Sequence, residues 1–292
     1  MILITGATGK VGSKTTDILI EKGAKLRLIA RHADKLQKYA GKAEIKVGDI
    51  TDEAFITEQL KGVDVALLMM PTDFTEPNVT AHQDAEVKSL TAAVKNSGIK
   101  KVVVISSVGG HSVENTGIVS GLAKLEIALK AIANVDILFF RPSYFMENLM
   151  GNIGMIKTMG INGGTLKGDL SFPMIATQDI AKAIVPSLLN PNFTGKTIQP
   201  LLGPKDYTMN EVTKVLGAAI GKPDLKYVEF PFDQAKAGMV QMGISESMAD
   251  AYNGLSKGAN EGIFNTEIRN AASTTPTTIE EFAHTFAYVY NM

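Results

Sequence analysis

The chain has 292 residues, with 29 basic and 30 acidic side chains and a formal net charge of −1; hydrophobic residues make up 45% and charged residues 20%. This balance excludes a disordered chain, which lacks apolar mass or carries a large net charge, and a dedicated nucleic-acid binder, which carries a basic excess. The lack of cysteine excludes disulfides, thiolate nucleophiles, iron–sulfur clusters and cysteine-based zinc sites, and it suits the cytoplasm.

Residues 1–5 form an apolar run too short for a helix, residues 6–12 a glycine turn, and residues 13–21 a helix with Ile18 and Leu19 inward and Gly23 after its end. Residues 25–30 alternate polar and apolar as a strand does. Further strands are expected at 44–47, 63–69, 101–106 and 136–141, with helices at 53–60, 81–96 and 120–132 between them. Strand and helix alternating at this spacing imply an α/β fold with a doubly wound parallel sheet. Residues 148–169 are rich in Gly and Met. A helix at 178–189 contains Pro186, which predicts a kink or an early stop. A strand at 196–202, a helix at 209–220 and a short strand at 227–231 follow, and the rest reads as mainly helical. The expected organisation is a nucleotide-binding domain over 1–150, rejoined by 176–202, and a smaller C-terminal substrate or partner lobe from 151–175 and 203–292. No signal peptide, lipid anchor or membrane span is expected.

The turn TGATGKVG spaces Gly6, Gly9 and Gly12 as G-x-x-G-x-x-G between a strand and a helix. Gly6 permits the tight turn, Gly9 a close approach of backbone to a pyrophosphate, and Gly12 close packing of helix on strand. The helix N-terminus adds free N–H groups and partial positive charge. A purely structural turn is the competing explanation. A P-loop is excluded, because Val11 stands where Ser or Thr would follow the lysine. After the second strand comes Arg31, with Lys35 one helical turn on. An arginine fork there suits a 2′-phosphate, so NADP(H) is preferred over NAD(H); a solvated surface charge is the alternative. Asp34 reads as a helix cap. Asp49 and Ile50, after the third strand, stand where an adenine contact is expected, with capping by Thr51 or Asp52 as the other use of that polar cluster.

The segments TGATGKVG, ARHADK, VGDITD, KKVVVISS and FFRPSYFMEN occur in the order seen in the NmrA-like proteins. The chain resembles this family of atypical short-chain dehydrogenases/reductases, with its NAD(P)-binding Rossmann fold, over most of residues 1–200. TTPTTIEEFAHTF is similar to the family's closing helix. The family includes NADP(H)-dependent quinone and dye reductases and also dinucleotide-sensing regulators. The resemblance implies cofactor contacts at Gly6, Thr8, Gly9, Lys10, Val11, Arg31 and Asp49, and at the strand ends Met69, Met70, Pro71, Ser106 and Ser107.

Superfamily dehydrogenases carry a Tyr-x-x-x-Lys pair on the helix after the fifth strand, where the lysine lowers the tyrosine pKa. Here the two possible registers give Ile118 with Leu122, or Val119 with Ala123. Lys124 is offset by one or two positions and is either a catalytic candidate or part of a solvated helix face. Tyr144, Phe145 and Asn148 follow the sixth strand at the expected cleft mouth. Tyr144 is a candidate donor and Phe145 a stacking surface or a core anchor. Phe74 and His111 complete the candidate substrate pocket. His32, His82, His111 and His284 show no ligand spacing, so no metal is expected. Met69, Met70, Met146, Met150, Met155 and Met159 are pocket lining or core filling.

The residues favour an NADPH-dependent oxidoreductase passing hydride to a small aromatic or quinone-like electrophile, which needs no Tyr/Lys base. The alternative is a non-catalytic NADP(H) sensor with a regulatory protein partner. A sugar-nucleotide epimerase is disfavoured because its chemistry requires the base. Neither nucleic acid nor membrane is an expected partner, and the oligomeric state stays open.

Overall fold

The computed structural model describes residues 1–292. Its first half alternates β1 (Ile2–Thr5), α1 (Lys10–Glu21), β2 (Leu26–Ala30), β3 (Glu44–Val47), α2 (Glu53–Leu60), β4 (Val65–Leu68), α3 (Val79–Ser97), β5 (Lys101–Ile105), α4 (Ser120–Lys130) and β6 (Asp136–Pro142). Then come β7 (Tyr144–Phe145), α5 (Ile153–Met159), β8 (Asn162–Gly164), β9 (Phe172–Ile175), α6 (Thr177–Leu189) and β10 (Lys196–Leu201). The chain ends with β11 (Asp206–Tyr207), α7 (Met209–Ala219), β12 (Tyr227–Glu229), α8 (Phe232–Gln241), α9 (Glu246–Asn260) and α10 (Ile279–Asn291).

Seven strands form one sheet in the order β10-β6-β5-β4-β1-β2-β3, and every neighbouring pair is parallel. The chain winds outward from β1 in one direction through β2 and β3, then in the other from β4. That reversal opens a crevice at the carboxyl ends of β1 and β4. Ile4, Leu28, Leu67 and Val103 meet α1 and α6 on one face. Leu3, Ile29, Ala66, Leu68 and Val102 meet α2, α3 and α4 on the other. Burial on both faces explains the near-continuous apolar runs of β4 and β5. A third core packs Met146, Leu149, Ile156, Val212, Leu216, Phe282 and Phe286 between residues 146–152, α5, α7 and α10. Met146 and Met150 therefore fill this core rather than a pocket.

Three expectations change. Helix α1 starts at Lys10, three residues earlier than expected, because Gly9 takes the extended N-cap conformation. Helix α6 runs on through Pro186 to Leu189. The proline lies in the last turn, so it removes one helical hydrogen bond just before the helix would end anyway. The short strands β7, β8, β9 and β11 were not foreseen. They pair only with one another and with β12, at two to four residues each, too short to show a period.

A buried ionic cluster ties the sheet to the C-terminal segment. Arg141, at the end of β6, donates from Nε to Glu126 Oε1 (2.9 Å) and from Nη2 to Oε2 (2.8 Å), a bidentate pair. Its Nη1 reaches Glu267 at 2.8 Å. Ser106 and Lys130 also donate to Glu126, which is fully buried. Burial pushes the Glu126 carboxyl up, but Arg141, Lys130 and Ser106 outweigh it and hold the group below the usual carboxylate range. Arg141→Met should cost about 3–5 kcal/mol of unfolding free energy at pH 7, because it strands a buried carboxylate. The Glu126 contribution is present above the ordinary carboxylate pKa and is lost as pH falls through the lowered folded value. The cost should therefore shrink in acid. Urea unfolding at pH 7 and in acid measures both, and equal midpoints for variant and parent at pH 7 would contradict this.

Candidate functional site

The crevice begins at the glycine turn. Gly6 adopts a φ of 63°, in the left-handed region, and its carbonyl accepts from Gly9 N at 3.0 Å. A Cβ on Gly12 would lie 2.1 Å from the Gly6 carbonyl oxygen and 2.9 Å from Met69 Cε. Helix α1 thus packs against the turn at a distance only glycine allows. No side chain caps the helix and no acid occupies its first turn, so its N-terminal N–H groups and positive dipole end face the crevice, as an anion site requires. Met69 packs here, and Met70 sits against the opposite core. Thr5 donates to Met69 O and accepts from Met69 N, joining the ends of β1 and β4.

From the turn a groove runs toward the ends of β2 and β3. Gly6, Thr8, Arg31, Lys35, Asp49, Ile50, Pro71, His82 and Glu86 line it. Arg31 reaches across to Asp73 at 3.1 Å. The Thr75 hydroxyl and N–H, then Arg31, pull the Asp73 carboxyl down to about 2. Asp49 Oδ1 accepts from both the N–H and the hydroxyl of Thr51, while Asp52 caps α2 by accepting from Phe55 N. Asp49 therefore lines the groove and leaves the capping to Asp52. Asp34 makes no capping bond; it sits inside a 3-10 turn whose cap position is Ala33.

At the other end, Lys10 lies 3.4 Å from the Glu147 carbonyl and 3.5 Å from Asn148 Oδ1. Burial lowers the Lys10 pKa, with Glu147 opposing and Lys14 assisting. Glu147 accepts from Lys14, at 3.0 Å, and from the Thr177 N–H and hydroxyl, fixing the start of α6 against α1. Tyr144 sits edge-on to Phe172 at 5.6 Å. Phe74 stacks on Tyr252 of α9, with centroids 6.0 Å apart and planes 8° apart. Burial raises the pKa of both phenols, Tyr144 and Tyr252, and Tyr252 adds to the rise at Tyr144. The first turn of α9 is stitched to the loop before α3: Ser245 N donates to Phe74 O at 2.9 Å, Ser245 Oγ to Glu76 O at 2.6 Å, and Ser247 Oγ accepts from Val79 N at 3.0 Å. Behind it, a Cβ on Gly117 would meet the backbone of Ala251 and Leu255 at 2.3 and 2.2 Å. Helix α9 therefore seats directly on residues 117–119.

Several candidates are engaged with other groups or exposed. Lys124 forms a 2.6 Å ion pair with Asp84 between α4 and α3, on the outer side of the fold. This pair commits its amine to α3. The Ser106 hydroxyl is committed to Glu126. Phe145 packs against the sheet core as an anchor. Asn148 and His111 are exposed. Met159, at the end of α5, is 63% exposed.

Tyr252 and Glu86 were not foreseen. Tyr252 carried no signal, since it joins Phe74 only through tertiary packing. Glu86 did carry one: it interrupts, at helical spacing, the buried face of α3 made by Val79, Leu90 and Ala93.

A model of the NmrA-like family matches residues 1–283. The chain is 28% identical over 256 residues to an NAD(P)H azoreductase of Xenophilus azovorans, covering 87% of this chain and 86% of that one. Among solved structures it is similar to the triphenylmethane reductase of Citrobacter sp. complexed with NADP(H), at a TM-score of 0.81 and 17% identity over 98% of this chain and 100% of that one. It is also similar to an NADPH-dependent quinone oxidoreductase of Escherichia coli complexed with NADPH, at a TM-score of 0.76 and 20% identity over 97% and 98% of the two chains. At these identities the two structures support the shared fold.

The turn makes a sharp prediction about its glycines. Gly12→Ala should destabilise the fold by about 1–3 kcal/mol through overpacking against backbone. Gly9→Ala should cost clearly less, since its Cβ would approach only the Gly6 oxygen, at 3.4 Å. Chemical unfolding of the two variants side by side checks the order, and a reversed order would refute the close approach.

Proposed function

The chain belongs to the NmrA-like family, and from that membership we propose that it is an NADPH-dependent reductase of quinone-like or other conjugated electrophiles. The crevice fits a nicotinamide dinucleotide: its turn leaves no room for a Cβ at Gly12, and its groove walls carry polar groups suited to a nucleotide. Gly6, Thr8, Gly9, Lys10 and Val11 would hold the pyrophosphate at the start of α1. Arg31 and Lys35 would take a 2′-phosphate, and Asp49 and Ile50 would flank the adenine. The dinucleotide, when bound, supplies the hydride.

The observation that carries the reading is the aromatic wall of Phe74, Tyr252 and Tyr144 at the carboxyl end of the sheet. Flat aromatic faces are the natural surface for a flat conjugated acceptor. With their pKa values raised, the two phenols stay protonated at neutral pH. They can donate a hydrogen bond to an acceptor atom that gains negative charge, but they cannot abstract a proton. Residues 118, 119, 122 and 123 carry only apolar side chains, and Lys124 is engaged with Asp84. An arrangement without a base suits hydride delivery to an acceptor that is already electrophilic. The wall orients it and the C-terminal helices exclude water.

NADPH consumption by the purified protein against a panel of quinones and dyes tests this, with NADH in parallel. Arg31→Ala should raise the KM for NADPH by about tenfold to a hundredfold, the worth of a charged hydrogen bond. It should leave the KM for NADH and the kcat little changed. Equal use of NADH by the parent protein would remove the Arg31 assignment. NADPH binding without turnover of any acceptor would favour a dinucleotide sensor. For the wall, Tyr252→Ala should lower kcat/KM for an aromatic quinone while NADPH binding persists.

A further inference from the structure

The base end of the groove holds a feature that cofactor binding alone does not require. Glu86 projects from α3 with 1% of its surface exposed, yet its Oε1 has no hydrogen-bond partner in the chain. It shares the groove wall with Asp49, Ile50 and His82. An unpaired buried carboxyl is costly, and this one sits among Val79, Leu90 and Ala93 on the buried helix face. His82 Nε2 lies 3.5 Å from Oε1 without forming a hydrogen bond to it; its Nδ1 lies 3.4 Å from Glu76 Oε2. No hydrogen bond within the chain engages Glu86, so its carboxyl is left for a ligand.

Adenine presents an amino donor beside a ring-nitrogen acceptor. A carboxyl group that keeps its proton matches that edge with one acceptor and one donor. An ionised carboxylate matches only the amine and sets its charge against the ring-nitrogen lone pair. We propose that Glu86 determines the specificity for the cofactor's base, accepting from the adenine amine through one oxygen and donating to the neighbouring ring nitrogen through the other. This rests on the NADPH reading above.

The surroundings favour the protonated form. Burial, then Asp49 from the loop after β3 and Glu76 from the loop before α3, raise the group to about 8, with Arg31 after β2 opposing. His82 on the same helix, and Lys35 and His32, line the same groove. Asp49 has one oxygen committed to the N–H and hydroxyl of Thr51, whereas Glu86 has no such partner in the chain.

Fluorescence titration of the whole protein with NADPH at pH 7 and pH 9 tests the assignment. If binding requires the proton, the Kd should rise about tenfold over this interval as Glu86 ionises. In Glu86→Gln the amide keeps a donor and an acceptor at every pH, so its Kd should change by less than about twofold. The reduced 1-deazaadenine analogue of NADPH presents a non-titrating ring C–H in place of the lone pair. Its binding by the parent protein should hold at pH 9, narrowing the preference for adenine. This comparison stands even if the variant fails to fold. A parent Kd for NADPH that is flat from pH 7 to 9, or an equal loss for the analogue, would overturn the Glu86 proposal and leave the cofactor reading intact. A failure of NADPH to bind at either pH would overturn both.

Discussion

One steric constraint organises the molecule: the approach of α1 to the turn that follows β1. Gly12 lies so near the Gly6 carbonyl that a single carbon more would collide. That contact aims the open N-terminus of α1 into the gap where the strand order reverses, and it lets Met69 close the floor from β4. The groove, the loop carrying Phe74 and the lysines of α1 are all placed relative to this contact. Such packing gains little from any specific attraction. It works by leaving no alternative, as close-packed interiors do.

The C-terminal half depends on the sheet in a different currency, that of hydrogen bonds and ion pairs. Arg141 spans from the end of β6 to both Glu126 and Glu267. Glu147 gathers Lys14 and Thr177. These contacts set two sparsely charged layers in register at a few buried points. Buried pairs of this kind add little net stability over apolar packing, but they are costly to break singly. The short strands β7, β8, β9, β11 and β12 and the third core are held against the sheet by such points.

Much of the fold was legible because its signals are local. The glycine turn, the alternating strands and helices and the cation after β2 are written within a few residues of one another, and a parallel sheet with both faces covered leaves its strands visibly apolar. Legibility fails where tertiary neighbours decide. Lys124 is paired with Asp84, which lies forty residues away, and Ser106 is claimed by the buried Glu126. Phe145 suits a stacking surface or a core anchor by its residue type alone, and only packing separates the two. Tyr252 joins Phe74 across most of the chain, a partnership no window of sequence contains. Pro186 is instructive in reverse: the rule about proline is sound, but its effect depends on whether a helix has further to run.

The stitches at the start of α9 carry a wider consequence. Ser245 and Ser247 bind this helix to backbone atoms of Phe74, Glu76 and Val79, so its attachment does not depend on which side chains it presents toward the crevice. Under the proposed function the dinucleotide floor would come from the first strands, while a late helix would add Tyr252 to a wall shared with Phe74 and Tyr144. On that proposal, variation along α9 at Tyr252 and its neighbours would be a route to new acceptor preferences that leaves the glycine turn untouched. A scaffold divided in this way can diversify its chemistry one wall at a time.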